Sequence, residues 1–255
     1  MKSIIKTLLL AGVGALAIAG SAAAADLSRP VYTKAPPPPP PTWTGCYVGG
    51  TVGGVWSRTD VSWAANPAGF GTAADISATG TGPIDTSGAT AGGEIGCNYQ
   101  TGAWVFGGEA DIQWTDINGT RNATTLAGFP LSETAKSDWL STFRGRLGFA
   151  SGAWLFYATG GLAVGHTTFT DLITFPTTVD SASVTSTQVG WVAGAGAEWM
   201  FAPHWSAKAE YLHVDLGTVN STSVNSDPVT FPLSTIANSH KLTEEIGRVG
   251  VNFHF

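Results

Sequence analysis

From Trp43 onward, apolar and polar residues alternate with a period of two. In 103–115, Trp104, Phe106, Gly108, Ala110, Ile112 and Trp114 share one face, while Val105, Gly107, Glu109, Asp111 and Gln113 share the other. Successive side chains of a strand point to opposite faces, so this period predicts strands. Segment 187–201 repeats the design. Val189, Trp191, Ala193, Ala195, Ala197, Trp199 and Phe201 stand against Gln188, Gly190, Gly194, Gly196 and Glu198. Each apolar face carries aromatics near its ends and small residues between. Trp104 and Trp114 lie ten residues apart. At about 3.3 Å per residue and a tilt near 40°, they span roughly 25 Å, the height of an outer-membrane apolar band.

Eight such segments are expected, at about 43–56, 88–100, 103–115, 137–150, 153–168, 187–201, 204–217 and 242–255. Thr101-Gly102, Ser151-Gly152 and Ala202-Pro203 read as tight turns. The stretches 57–87, 116–136, 169–186 and 218–241 are rich in Thr, Ser, Asn, Asp and Gly and read as long loops. Short turns on one side and long loops on the other are the convention of a transmembrane barrel, with the loops extracellular. A soluble β-sandwich has no reason to sort its connections this way. The predicted fold is therefore all-β, an eight-stranded antiparallel transmembrane barrel over 43–255.

Composition supports that choice. Only 12% of residues are charged, with 33 Gly and 10 Trp, and soluble domains carry about twice that charge. No segment beyond the N-terminus is apolar enough for a membrane helix, and a barrel resolves the conflict by alternation. The N-terminus has Lys2 and Lys6, an apolar run over Leu8–Ala19 and the small residues Ser21–Ala25. That is the layout of a secretory signal peptide over 1–25, too short for a spanning helix. Removing its two lysines takes the formal charge from −6 to about −8, and no basic stripe suggests nucleic acid. Residues 26–42 hold six consecutive prolines, Pro36–Pro41. They form an extended periplasmic linker with few backbone donors, which peptidoglycan or a partner could also bind.

Three stretches carry a family resemblance: Trp43-Thr44-Gly45-Cys46-Tyr47-Val48-Gly49-Gly50, Ala209-Glu210-Tyr211-Leu212 through Val214-Asp215-Leu216-Gly217, and Arg248-Val249-Gly250-Val251-Asn252-Phe253. Across the mature chain the sequence resembles the porin-like outer-membrane immunogenic proteins of alphaproteobacteria, an OmpA-type barrel family. The resemblance implies assembly through the terminal aromatic, display as a surface antigen and a contribution to envelope integrity. Val251, Phe253 and Phe255 would form the assembly signal read by the barrel-assembly machinery. Outer-membrane lipid and lipopolysaccharide are the expected surroundings, and host or envelope components the expected partners of the loops. No residues after Phe255 are expected to form a peptidoglycan-binding domain.

Candidate chemistry sits on the inward parity. Glu94, Glu109, Asp111, Glu198 and Glu210 supply five acids, and Arg144, Arg146, Lys208 and Arg248 four bases, all near mid-height. Charges at membrane depth must face the interior and pair. An eight-stranded barrel is just wide enough for side chains to fill. An ion-pair plug is expected, with a gated narrow pore for small solutes as the alternative. Cys46 and Cys97 share the outward parity on neighbouring strands in an oxidising compartment, so a cross-strand disulfide is expected, with two offset free thiols as the alternative. A lipid-modifying enzyme would need a His and Ser at the outer rim. His204 and Ser206 lie at the periplasmic end; His213 and Asp215 lie toward the outer end, where Leu212, Val214 and Leu216 blur the alternation and a bulge could reverse the facing. No Gly-x-Ser-x-Gly elbow occurs, so no catalytic residue is expected. His166 and His240 read as loop-edge residues, and His254 as a lumen residue near the exit. The glycine pairs at 49–50, 53–54, 92–93, 107–108 and 160–161 lie inside strands and read as relief for tight packing, not phosphate loops. No metal or cofactor is expected.

Overall fold

Alternation that persists for twenty residues at a time builds one continuous wall. The computed structural model describes residues 42–255; the expected signal peptide and all but the last residue of the linker lie outside them. The strands are β1 (Gly45–Ala65), β2 (Gly82–Thr101), β3 (Trp104–Thr124), β4 (Pro130–Ser151), β5 (Trp154–Thr174), β6 (Val179–Ala202), β7 (Trp205–Asn225) and β8 (Thr235–His254), with one helix, α1 (Ala73–Gly80). Each strand pairs antiparallel with the next, and β1 closes on β8 from Tyr47↔His254 to Ala65↔Ile236. The barrel is closed. Two of the three periplasmic turns place a glycine in the left-handed region, Gly102 (φ 60°) and Gly152 (φ 61°), where a Cβ costs energy.

The outward face carries two aromatic girdles. Trp104, Phe149, Trp154, Trp199, Trp205 and Phe253 ring the periplasmic end, and Trp56, Trp114 and Trp191 mark the outer edge, all substantially exposed. Trp154 stacks on its cross-strand neighbour Trp199 at 5.9 Å. Strands of 20–24 residues rise roughly 50 Å at that tilt, about twice the apolar band. The barrel therefore continues well beyond the membrane.

This extension differs from the loops expected at 57–87, 116–136, 169–186 and 218–241. Most of those residues are strand, and the true connections shrink to 66–81 (with α1), 125–129, 175–178 and 226–234. Above the outer girdle water replaces lipid, so the outward positions become Thr, Ser and Asn. The inward positions stay apolar, as with Val61, Trp63, Ile84, Ile117, Leu131, Phe169, Ile173 and Ile236. A composition reading sees the polar half of that alternation and takes it for loop.

Above the girdle the wall also divides. β2 and β3 pair only up to Thr90↔Thr115. β6 and β7 stop pairing above Trp191↔Asp215 and rejoin only at Ser181↔Val224 and Asp180↔Asn225. The eight strands thus become two four-stranded sheets, β3-β4-β5-β6 and β7-β8-β1-β2, closing on an apolar core. α1 seals the top. Its Ile76 is fully buried, worth about 1.5–3 kcal/mol. Ser77 Oγ accepts from Ala65 N at 2.9 Å, and Asp75 accepts from Leu126 N at 3.1 Å and Ala127 N at 3.3 Å.

Candidate functional site

The inward parity of eight strands delivers the nine charged candidates to one place. Glu94, Glu109, Asp111, Arg144, Arg146, Glu198, Lys208, Glu210 and Arg248 are all buried and face inward. Arg144 reaches three acids. It donates to Glu210 Oε1 and Asp111 Oδ2, each at 2.8 Å, and to Glu109, while its Nε donates to Thr142 Oγ1 at 2.8 Å. Arg248 donates to Glu210 Oε2 from Nε at 2.8 Å and to Asp111 Oδ2 at 3.1 Å. Lys208 Nζ donates to both oxygens of Glu109 at 3.2 Å and lies 2.6 Å from Glu94 Oε2, off the hydrogen-bonding direction.

Register explains part of this set. Glu109 stands directly across from Arg144, and Glu210 from Arg248. Other pairs join strands that are not neighbours, as Lys208 of β7 with Glu109 of β3 and Arg144 of β4 with Glu210 of β7, and Glu198 does the same. It faces Lys208 across the β6–β7 ladder yet binds Arg146 of β4, two strands away, at 2.8 Å. Ser206 Oγ at 2.5 Å and Asn252 Nδ2 at 2.9 Å also donate to it.

Sequence parity alone passed over two tyrosines. Tyr47 OH donates to Glu109 Oε2 at 2.6 Å and accepts from Arg146 at 2.5 Å. Tyr157 OH donates to Glu210 Oε1 at 3.1 Å, and its ring lies 3.9 Å beneath the Arg146 guanidinium. Both share the inward parity of the charges, which was the available signal. Below the network an apolar floor of Trp43, Val105, Leu155, Tyr157 and Met200 closes the periplasmic mouth.

A second buried polar group lies above the outer girdle, in stretches that composition assigned to loops. Arg121, Glu133 and Asp171 sit side by side on β3, β4 and β5. Arg121 donates to Glu133 Oε2 at 2.5 Å and to the Thr79 carbonyl of α1 at 2.8 Å. His240 is not a loop-edge residue. It is buried, with Nε2 2.9 Å from Asp171 Oδ2 and its ring stacked on Phe169 at 4.7 Å. The inward-facing strand β8 puts it there. Burial pushes the Glu133 carboxyl up to about 7 despite Arg121, and pushes Asp180 up to about 6.

The remaining candidates are placed as follows. Cys46 and Cys97 are directly opposite on β1 and β2 and joined by a disulfide on the outward face. Val251, Phe253 and Phe255 point outward and are exposed. Leu212, Val214 and Leu216 are buried inward as their parity gives, and the bulge falls at Leu216 itself, between Asp215 and Gly217. His213 is outward, 2.7 Å from Glu245 and beside Trp191 at 5.1 Å. His166 stacks on Trp139 at 6.1 Å, and His254 is an inward residue near the mouth. Ser206, His254 and Glu198 touch one another, but both partners meet His254 at Nε2. A nucleophile relay needs the acid on the opposite ring nitrogen. Ser206 is also fully buried.

Comparison with known proteins agrees with this architecture. The outer membrane protein beta-barrel domain matches residues 9–235. The 31 kDa outer-membrane immunogenic protein of Brucella melitensis is 31% identical over 257 residues, covering 98% of this chain and all of that protein. The 22 kDa outer membrane protein of Rhizobium leguminosarum is 28% identical over 224 residues, covering 86% and 82%. The crystal structure of Ail, the attachment invasion locus protein of Yersinia pestis, is similar at a TM-score of 0.37 and 13% identity, covering 82% of this chain and 99% of that one; that is too loose to bear on function. The girdled eight-stranded wall and these relatives lead to one assignment: the chain belongs to the outer-membrane β-barrel domain family, and its place is the bacterial outer membrane.

Proposed function

We propose that this protein is a non-conducting, non-enzymatic porin-like barrel that stabilises the envelope and presents a rigid extracellular head as a surface antigen. The observation that carries the reading is the stacking of the lumen. An apolar floor, a layer of charges that share ion-pair partners and a mainly apolar upper core follow one another along the axis. Opening a water path would require parting ion pairs that share partners, and each broken buried pair costs several kcal/mol. The immunogenic naming of the Brucella relative supports surface display. In this reading the nine charges are a structural plug, Cys46–Cys97 staples the periplasmic start of the wall, and Val251, Phe253 and Phe255 are the signal for the barrel-assembly machinery. Outer-membrane lipid and lipopolysaccharide surround the girdled band, and host or envelope components meet the head. The deciding experiment is conductance of the refolded protein in a planar bilayer. A silent bilayer is expected; a steady open-channel current would replace this reading with a narrow diffusion pore.

A further inference from the structure

The division of the wall above the membrane leaves two seams, and they are not alike. The β2–β3 seam is bridged. Arg121 of β3 donates to the Thr79 and Thr81 carbonyls at 2.8 and 3.4 Å, tying the α1 end of β2 across the gap. The β6–β7 seam has no such bridge among the described contacts. Over 182–190 of β6 and 216–223 of β7 no pair forms between the two strands, although β6 remains paired to β5 throughout and β7 to β8 from Gly217 onward. Each strand therefore presents an edge of free amide and carbonyl groups, and such an edge is a template for another strand.

Three further observations separate this seam from a mere irregularity. Its inward residues Ala182, Val184, Ser186, Val219 and Ser221 are partly exposed, whereas Thr167, Phe169, Asp171 and Ile173 on neighbouring β5 are buried. Solvent thus reaches through the wall here. Gln188 Oε1, Ser221 Oγ and Asn238 Oδ1, at or beside the gap, are buried without a hydrogen-bond partner. Neither edge contains a charge or a proline, the usual guards against strand addition.

We propose that the β6–β7 seam is a strand-acceptor site that binds an extended, uncharged polypeptide segment of an extracellular partner through main-chain hydrogen bonds. Nine residues of edge measure roughly 30 Å, a length suited to an extended chain rather than a compact solute. Only a polypeptide repeats donors and acceptors at the spacing of a strand edge. The seam opens through its outer clasp, where Asn225 Nδ2 donates to Asp180 Oδ1 at 2.5 Å. Splaying begins at the bulge beside Gly217 (φ 77°). The proposal is independent of whether the lumen conducts.

Amide hydrogen exchange on the full chain in lipid vesicles provides the test, with a synthetic peptide copying residues 216–224 as probe. Without peptide, the alternate amides of 182–190 that face the seam should exchange roughly a hundredfold faster than those in 167–174. With peptide, they should slow about tenfold; a control peptide carrying Thr218→Pro, Asn220→Pro and Thr222→Pro should have no effect. Asn225→Ala in the protein should speed the onset of protection. The wild-type measurements decide the matter even if that variant folds poorly. The proposal is overturned if seam amides are as protected as those of β5, if the probe does not protect them, or if the proline peptide protects equally. Protection that arises from raising protein concentration alone would assign the edge to a second copy of this chain and also overturn it.

Discussion

Replacing Arg146 by Met should destabilise the barrel more than replacing Arg144 by Met, although Arg144 touches more acids. Removing one member of a buried pair costs about 3–5 kcal/mol because the remaining charge stays buried without compensation. Without Arg144, each of its three acids keeps a cation: Glu109 keeps Lys208 at 3.2 Å, and Asp111 and Glu210 keep Arg248 at 3.1 and 2.6 Å. Its loss should fall near the low end, about 3 kcal/mol. Among lysines and arginines Glu198 has only Arg146, at 2.8 Å on Oε2, while the neutral donors Ser206 and Asn252 serve its Oε1. Losing Arg146 also strips the cation from the Tyr47 hydroxyl and the Tyr157 ring. That loss should approach 5 kcal/mol, a difference of roughly thirtyfold in the folding equilibrium. Urea titration of the refolded protein in lipid vesicles, followed by tryptophan fluorescence, reads both values. If either variant loses less than about 1 kcal/mol, or if the order is reversed with an ion current appearing, the plug is not structural and the reasoning fails.

Other perturbations reach separate parts of the molecule. Cys46→Ser with Cys97→Ser opens a loop of 51 residues' separation and should cost up to about 4 kcal/mol in the chain-entropy account; equal thiol titres of the unfolded wild type with and without reductant would remove the basis for this. Gly53→Ala should destabilise by about 1–3 kcal/mol, since its Cβ would meet the Gly247 carbonyl at 2.3 Å and Arg248 Cα at 2.8 Å; urea midpoints again measure it, and a neutral result would mean the backbone yields. Burial raises the carboxyls of Glu133 and Asp180 to about 7 and about 6. The folded head therefore binds more protons than the unfolded chain from the ordinary carboxylate range up to those values, and its stability should fall as pH rises from about 5 to 7. Limited proteolysis of the head across that range should show the trend, and Glu133→Gln with Asp180→Asn should flatten it.

Legibility differed between the two halves of the molecule for a physical reason. In the membrane, lipid forces outward residues to be apolar, so strands such as 103–115 and 187–201 announce both their period and their facing. The nine lumen charges followed from that parity because no other orientation is tolerable at that depth. Their partners did not follow, because several pairs, Glu198–Arg146, Lys208–Glu109 and Arg248–Asp111 among them, join strands that are not neighbours. Above the girdle, water allows Thr168, Thr170, Ser183 and Thr185 on the outward face, and they pair there as Thr168–Thr185 and Thr170–Ser183. The resulting composition resembles loop, which hid His240, Glu133 and Arg121. α1 was equally silent: eight residues without a side-chain cap at Thr72 are held by tertiary contacts rather than by local signals.

The apolar floor and upper core also decide what the charge layer can feel. Surface ion pairs weaken as salt rises because mobile ions screen them within a Debye length. Here the hydrocarbon side chains of the floor and the upper core stand between the charge layer and the solution at either end, which limits the approach of dissolved ions. The network should keep its strength from dilute buffer to brine, like a conductor sealed between two insulators. With the lumen closed as proposed, a cell could place many copies of such a barrel in its outer membrane without raising that membrane's permeability.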